Sequence, residues 1–588
     1  MSRSITVLYG SETGNSQDLA ESLSTSLQRH HYEVTLTTLD QFDITQIINI
    51  EKLIVICSTT GQGEFPLNAR NFWKFMLKKK LPSNFLTGLQ FTTFGLGDSS
   101  YPRFNWAIKK LHNRFLQLGA TELSKRAEAD EQSSQGIDGF YVEFEKLLLA
   151  NLQKLMPLPS HLKPLDENQL LPPKVKVCVD MKKPKRVVSY EQSLLRSDLD
   201  IKTAQVICNK RITSLDHFQD TRQLILKLSE QDIQSYGPGD TLALYPVNNN
   251  AHVNALLQIL NLEDIADRQV TLSDYSGLSH DGGLVQKLTV RSLITNHLDI
   301  NSIPRRSFFS LLYKFATDER ERDKLRDFSK FTDPEELYNY ANRPRRSILE
   351  VLQEFDSVSV PLEYLFDLIP LIKPRLFSIS SGDVDRKRGE IELTIGLVEY
   401  QTKIKRIRKG LCSTFVKSLN EGDQVLYKLS TGKLVQRIRE DVPVIMVSPG
   451  TGLAPMKNLI ESFVENKGYD ASNLYLFFGN RYHNKDYYYR TELETYKQKN
   501  KLQLFTSFSR EAQGYVQDNL YAHSKLIADL LTKQNSLIFI CGSSGSMPTQ
   551  VRITFETILK EELKLDDLMA KKYMEELEQS GRYIQETW

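Results

Sequence analysis

A chain of 588 residues is too long for one hydrophobic core and, at about 150 residues per domain, points to about three or four domains. Its make-up is that of ordinary globular protein, 40% apolar, 25% charged and 10% aromatic, and a net charge of +2 argues against a general nucleic-acid binder, which would carry a concentrated basic surface. The five cysteines, Cys57, Cys178, Cys208, Cys412 and Cys541, include no CxxC metal or redox pair, which fits a reducing compartment.

The chain enters its first strand close to Met1 and contains no long apolar run, so neither a signal peptide nor a membrane helix is expected. On this reading the protein is unanchored and cytoplasmic, with association with mitochondria left open. The apolar run at 5–8 is predicted to be a buried strand and 15–27 the helix after it, which makes "YGSETGNSQ" (9–17) a strand-to-helix turn. Such a turn points backbone N–H groups and a helix dipole at an anion. Ser11, Thr13 and Ser16 add hydroxyls, and Gly14 lets backbone approach closely. A nucleotide-triphosphate loop would end in Gly-Lys-Ser/Thr, but no lysine lies between Met1 and Glu51. A neutral, hydroxyl-rich cradle suits a monophosphate such as that of FMN; an ordinary capped helix is the alternative.

Two further strands end in polar turns, "KLIVICSTTGQGEFP" (52–66) and "LQFTTFGLGDSSYPRFN" (89–105). In an open parallel sheet the ligand sits outside the carboxyl ends of the strands, at the switch point. Tyr101 is placed to stack on a flavin ring, with Thr59, Thr60, Gly61 and the 96–105 loop as donors to its edge; a core-plugging aromatic is the plain alternative. Residues 127–145 hold six acids and no lysine or arginine, either a solvated face or a docking patch. Pro157, Pro159, Pro164, Pro172 and Pro173 mark a stiff linker that suggests domain motion.

Beyond it, "YGPGDTLALYP" (236–246) and strand patterns at 375–400 and 422–435 read as a β-barrel, interrupted at 251–370 by a segment of helical pattern in which "DERERDKLRD" is an exposed turn or helix. In "RLFSISS" (375–381) Arg375 and Phe377 share one strand face, an arginine for a pyrophosphate and an aromatic for a flavin ring; "GLCST" (410–414) is a Gly-led turn into a helix. Together they suggest FAD. The final block alternates strand and helix through "VPVIMVSPGTGLAPM" (442–456), "NLYLFFGNR" (473–481), "LQLFTSFSR" (502–510) and "SLIFICGSSGSM" (536–547), a second doubly wound sheet. Ser509, Arg510, Tyr515 and Gln517 at a strand end fit the 2′-phosphate of NADPH, where a bare ribose would call for an acid. The expected class is therefore multidomain α/β: a flavodoxin-like FMN domain (1–155), a proline-rich linker (156–200), an FAD-binding β-barrel with a helical insert (201–437) and a doubly wound NADP-binding domain (438–588).

In their order, "SETGNS", "STTGQG", "FGLGDSSYPRFN", "YGPGD", "RLFS", "GLCS", "PGTGLAP", "SFSR", "YVQ", "CG" and terminal Trp588 make the whole chain resemble the diflavin reductases. The resemblance implies electron flow from NADPH to FAD to FMN to a one-electron acceptor. It assigns FMN to Ser11, Glu12, Thr13, Gly14, Asn15 and Ser16, to Ser58, Thr59, Thr60 and Gly61, and to the third loop with Glu131. That loop supplies Leu96, Gly97, Asp98, Ser99, Ser100, Tyr101, Pro102, Arg103, Phe104 and Asn105. FAD falls to Arg345, Arg375, Leu376, Phe377, Ser378, Gly410, Leu411, Cys412 and Ser413, and NADPH to Thr451, Ser509, Arg510, Tyr515 and Gln517. Ser378, Cys541 and Glu586 would surround the nicotinamide and flavin N5, and Trp588 would shield the FAD ring; a buried core thiol is the plain reading of Cys541.

The compact build, Phe377 in place of a common tyrosine and "GLCS" resemble the branch that serves cytosolic iron–sulfur protein assembly, which implies an anamorsin-type iron–sulfur protein as acceptor. A haem protein or sulfite reductase as acceptor, or a catalytically idle scaffold, are the alternatives. Three departures stand out: no lysine precedes "YVQ", Thr60 occupies the place of a second stacking aromatic, and Glu586 replaces an aspartate.

Overall fold

The computed structural model describes residues 3–587 apart from 62, 102, 135, 183–200, 230–231, 233–235, 274–287, 332, 383–387, 403–404, 433–441, 466–472 and 512–513. Pro102, Trp588 and the second half of the expected linker lie outside the described residues.

The first module is a parallel sheet of β1 (Ser4–Gly10), β2 (Glu33–Thr38), β3 (Lys52–Ser58), β4 (Gln90–Gly97) and β5 (Thr121–Glu122), in the order β2-β1-β3-β4-β5, with β6 (Ala127–Asp130) also paired to β4. Strands β3 and β4 are buried along nearly their whole length because helices cover both faces. Leu19, Leu23 and Leu27 of the Asn15–Arg29 helix pack with Tyr141, Phe144 and Leu148 on one face; Phe72, Ile108, Leu111 and Phe115 fill the other. The order reverses at β1, so the turns after β1, β3 and β4 lie along one edge.

Of the linker, the described part is fastened rather than free. Leu165 N donates to Arg29 O (2.8 Å), Arg29 Nη2 to Gln169 O (2.9 Å) and Tyr364 Oη to Leu171 O (3.0 Å), so it is tied to the first module at one end and to the insert at the other. Its residues Lys176–Val179 form β7, a strand of the insert.

The barrel is built from β8 (Lys202–Arg211), β9 (Thr221–Lys227) and β10 (Thr241–Tyr245), then, after the insert, β13 (Arg375–Ser378), β14 (Glu390–Gly396) and β17 (Gln424–Ser430). These run antiparallel in the order β13-β10-β17-β8-β9-β14, and a bridge between Ile379 and Leu393 closes the ends. A small hairpin, β15 (Glu399–Gln401) and β16 (Ile407–Lys409), stands beside it. The insert has its own core, with Leu293, Phe309, Leu312, Leu325, Phe328 and Val351 buried together. Its charged stretch is the Glu319–Ser329 helix, capped by Asp318, whose side chain accepts from Glu321 N. The helical reading of 251–370 missed β11 (Gln269–Ser273) and β12 (Leu288–Thr289), because β11 takes its other partner, β7, from a distant part of the chain.

The last module is a parallel sheet, β18 (Val444–Pro449), β19 (Leu474–Asn480), β20 (Gln503–Phe508), β21 (Leu537–Gly542) and β22 (Tyr583–Thr587), in the order β20-β19-β18-β21-β22. Among the described residues no helix is long and apolar enough to cross a membrane.

Candidate cofactor sites

In the first turn, Gly14 sits at φ +97°, a conformation glycine adopts without steric penalty, and its N–H donates to Ser11 Oγ (2.8 Å). Ser11 N donates to Asn68 Oδ1 (2.9 Å), and the Glu12 carboxylate accepts from Leu67 N (3.0 Å), so Glu12 braces the neighbouring loop. The helix starts at Asn15 with no side-chain cap, leaving first-turn donors for a ligand. In the second turn Thr60 N donates to Glu64 O (3.0 Å), Thr59 Oγ1 accepts from Ala107 N (3.2 Å), Gly61 stands open at φ +48° and Ser58 Oγ reaches Gly10 O (3.5 Å).

The third loop is held from within. Asp98 Oδ1 accepts from Ser100 N (2.8 Å) and Ser100 Oγ (2.6 Å), which keeps its carboxyl below the usual carboxylate range. Ser99 N donates to Asp130 Oδ1 (2.9 Å), and Glu131 N to Gly97 O (2.9 Å). Tyr101 is 54% exposed, open to a stacking partner, while Leu96 is buried. Asn105, at φ +54°, is buried beneath Gly95 and Gly97 and donates to Ala129 O (3.1 Å), so it supports the loop from below. Arg103 lies over Trp106, Lys109 over Phe104.

The acidic run is largely engaged with its own chain. Glu128 pairs with Lys109 (3.1 Å) and Arg126 (2.7 Å), Asp138 pairs with Arg306 (2.5 Å), Asp130 holds the third loop, and burial pushes the Glu145 carboxyl up.

One cavity of about 2480 Å³ is lined by Thr13, Gly14, Asn15 and Glu131 of the first module and by Arg345, Arg375, Gly410 and Leu411 of the barrel and insert. The turn after β1 and the turn that opens at Gly410 therefore face the same space. Arg345 holds φ +54°, strained backbone for a non-glycine residue at a cavity wall. Gly410 is the N-cap of the Leu411–Ser418 helix, which has no side-chain cap. Leu376 is exposed and Phe377 packs on the barrel core. Ser413 Oγ accepts from Val398 N (2.8 Å), and burial pushes the Cys412 thiol up to about 12. Ser378 pairs in register with Thr241. Sequence reasoning missed Arg305 and Arg343 of the insert and Arg408 of β16, which line the same cavity; isolated arginines far apart in the chain carry no local signature.

At the third site, Gly452 is packed so closely that a Cβ would fall 2.0 Å from Cys541 O, and Thr451 lies against Gly396 of the barrel. Cys541 pairs in register with Glu586, which brings those two predicted residues together. Burial first, and then the Glu586 charge, hold the Cys541 thiol far above its ordinary range, so Sγ keeps its proton. Ser509 N donates to Asn480 O (3.0 Å) and Arg510 N to Arg481 O (3.0 Å), which sets Arg481 beside the predicted group. Arg510 and Tyr515 are exposed at the carboxyl end of β20; Gln517 is half-buried.

Among the buried polar atoms without a hydrogen-bond partner within the described residues, each site has at least one: Ser16 Oγ and Asn105 Oδ1 at the first, Arg408 Nη2 at the second and Ser448 Oγ at the third. A buried donor left unpaired is costly unless a ligand completes it, and phosphates are such ligands. The residues present thus fit three anionic nucleotides.

Fold and sites together define a two-flavin oxidoreductase that draws on a pyridine nucleotide. Residues 7–141 match the Flavodoxin family, 198–415 the FAD binding domain and 446–552 the Oxidoreductase NAD-binding domain. The chain is 46% identical over 606 residues to NADPH-dependent diflavin oxidoreductase 1 of Debaryomyces hansenii, covering 99% of this chain and 98% of that one. It is 44% identical to the protein of that name in Candida albicans (100% of both chains) and 40% identical to that in Saccharomyces cerevisiae (100% of both). The chain belongs to the NADPH-dependent diflavin oxidoreductase family, with FMN, FAD and NADPH as its cofactors.

Proposed function

We propose that the protein hands single electrons from its first module to an iron–sulfur protein of the anamorsin type, in cytosolic iron–sulfur cluster assembly. The observation that supports two cooperating flavin sites is the shared cavity: the turn at Thr13–Asn15 of the first module and the turn at Gly410–Leu411 of the barrel face one space, while the ring-stacking candidates Tyr101 and Phe377 lie outside its lining. When bound, NADPH supplies a hydride and the two flavins divide the pair into single electrons.

The chain's own residues bind and orient. The Gly14–Ser16 turn offers donors to a monophosphate, Arg345, Arg375 and Arg408 balance a pyrophosphate, and Ser509, Arg510 and Tyr515 suit a 2′-phosphate. Cys541 keeps its proton at Sγ beside Glu586, a neutral donor next to a carboxylate. For the acceptor, the reading is supported by the resemblance carried by "GLCS" and Phe377, and by the exposed aromatic rim formed by Tyr101 and Trp106, 54% and 41% exposed.

The test is to purify the protein, measure flavin content, and offer NADPH without oxygen beside three acceptors: an anamorsin-type iron–sulfur protein, a cytochrome and a sulfite-reductase haemoprotein. One FMN and one FAD per chain, with fastest reduction of the iron–sulfur protein, is expected. Preference for a haem acceptor would replace the partner, and a colourless, inert preparation would leave only a scaffold.

A further inference from the structure

A basic turn of the insert, Pro304-Arg305-Arg306-Ser307, reaches across and grips the first module at its phosphate turn. The Arg305 guanidinium donates to the carbonyls of Thr13 (2.6 Å) and Gly14, the two residues that precede the helix. Gly14 tolerates this because it has no Cβ: an added carbon would lie 2.3 Å from the guanidinium. On either side, Ser307 Oγ donates to Asp18 in the first turn of the same helix, and Arg306 pairs with Asp138 (2.5 Å). Lys174 pairs with Glu21 (3.1 Å), one turn further along.

We infer that Arg305 is a positioning residue for FMN: it fixes the phosphate turn through the carbonyls of Thr13 and Gly14, so FMN affinity and docking of the first module on the insert are one linked equilibrium. A peptide whose carbonyl is held by a guanidinium is polarised: the Gly14 N–H is taken by Ser11 Oγ (2.8 Å), which leaves the Asn15 N–H, on the peptide whose Gly14 carbonyl Arg305 holds, as the strengthened donor for the phosphate. The added positive charge works in the same direction. The coupling is reciprocal: FMN strengthens docking by the factor by which docking strengthens FMN binding. This inference rests on the family's FMN and not on the acceptor proposed above.

The test uses the full-length protein. FMN release is followed by flavin fluorescence for the wild type, Arg305→Ala, Arg305→Lys and Glu578→Gln; the last removes the 3.9 Å contact of the last module with Arg103 and leaves the phosphate turn alone. Arg305→Ala is expected to weaken FMN binding about tenfold while FAD content stays at one per chain, Arg305→Lys less, and Glu578→Gln by less than threefold. Small-angle scattering should find the wild type more compact with FMN than without it, and Arg305→Ala indifferent to FMN. If Arg305→Ala also loses FAD, its fold has failed and the decision passes to the wild type: added salt should speed FMN release and swell the particle together. Unchanged FMN affinity in a FAD-replete Arg305→Ala, or wild-type FMN release that ignores salt and compactness, overturns the inference.

Discussion

The junction between the barrel and the last module buries its central charges on both sides, whereas the junction between the first module and the insert mixes buried groups, Arg306 and Asp18, with pairs within reach of water. In the former, Lys457, 5% exposed, lies 2.7 Å from Glu461 and 3.2 Å from Glu392, and Glu461 also accepts from Gly382 N. Around it Thr394 and Tyr489 hydroxyls meet at 2.7 Å, Thr221 and Tyr488 at 3.0 Å, and His217 faces Asp486 at 3.3 Å with both side chains almost fully buried. Buried, mutually satisfied polar groups are ruined by losing one member, so they hold two elements in a single arrangement. In the latter, Lys174 and Glu21 are 45% and 24% exposed, a pair that salt and water can replace, and Asp138 is 27% exposed although its partner Arg306 is buried at 7%. The molecule is thus a fixed reductase half and a releasable first module, the arrangement required if a flavin must face inward to be reduced and outward to unload.

Deleting the buried cation should have the largest effect. Lys457→Met leaves Glu392 and Glu461 facing each other without it, and a loss of about 3–5 kcal/mol in urea unfolding of the reductase half is expected, with Lys457→Arg recovering part. Next is Gly14→Ala: a Cβ at φ +97° costs about 1–2 kcal/mol and also meets Arg305, so FMN content should fall at least about tenfold with FAD retained.

Acid should separate the two junctions by sign. Asp18 has its carboxyl pushed up to about 6 by burial, against the pull of Arg305 and the Ser307 hydroxyl, with Glu21 and Asp138 adding to the rise. A raised carboxyl is protonated more readily when docked, so docking weakens as pH climbs from about 4 to about 6 and is level above. Asp18→Asn should flatten that profile, measured as compactness by scattering. His217 is held below its ordinary range by burial, with Arg481, Arg211 and Lys485 assisting and Asp486 opposing. It favours the neutral form when folded, so the reductase junction loses stability as pH falls below about 6.5. The smallest effect expected is at Arg103: removing its 3.9 Å, half-exposed contact with Glu578 should weaken docking by less than about 1 kcal/mol, read from the salt dependence of particle size.

Much of the scaffold was legible because it is local. Continuous apolar strands such as 52–58, followed by turns rich in Gly, Ser and Thr, announce a parallel sheet and its ligand edge from a dozen residues each. The glycine-led turn at 410 is local in the same way. What escaped is non-local: β7 pairs with β11 across ninety-odd residues of chain, and Arg305 meets Gly14 across 291. The acids of 127–145 read as a free face because a composition count cannot see that Asp138 has Arg306, and Glu128 has Lys109, as neighbours. Asn105 reads as a ring contact in a polar loop, yet its left-handed backbone turns the amide under the loop.

The central claim, a rigid reductase half carrying a releasable first module, is tested most directly by anaerobic stopped-flow reduction with NADPH over rising salt, to about 0.5 M, where exposed pairs are screened and buried ones are not. The rate of the first, FAD-reducing phase is expected to change by less than about twofold while the following FMN-reducing phase changes several-fold, in step with particle size. If both phases move together, or only the first one does, the contrast between the two junctions is wrong.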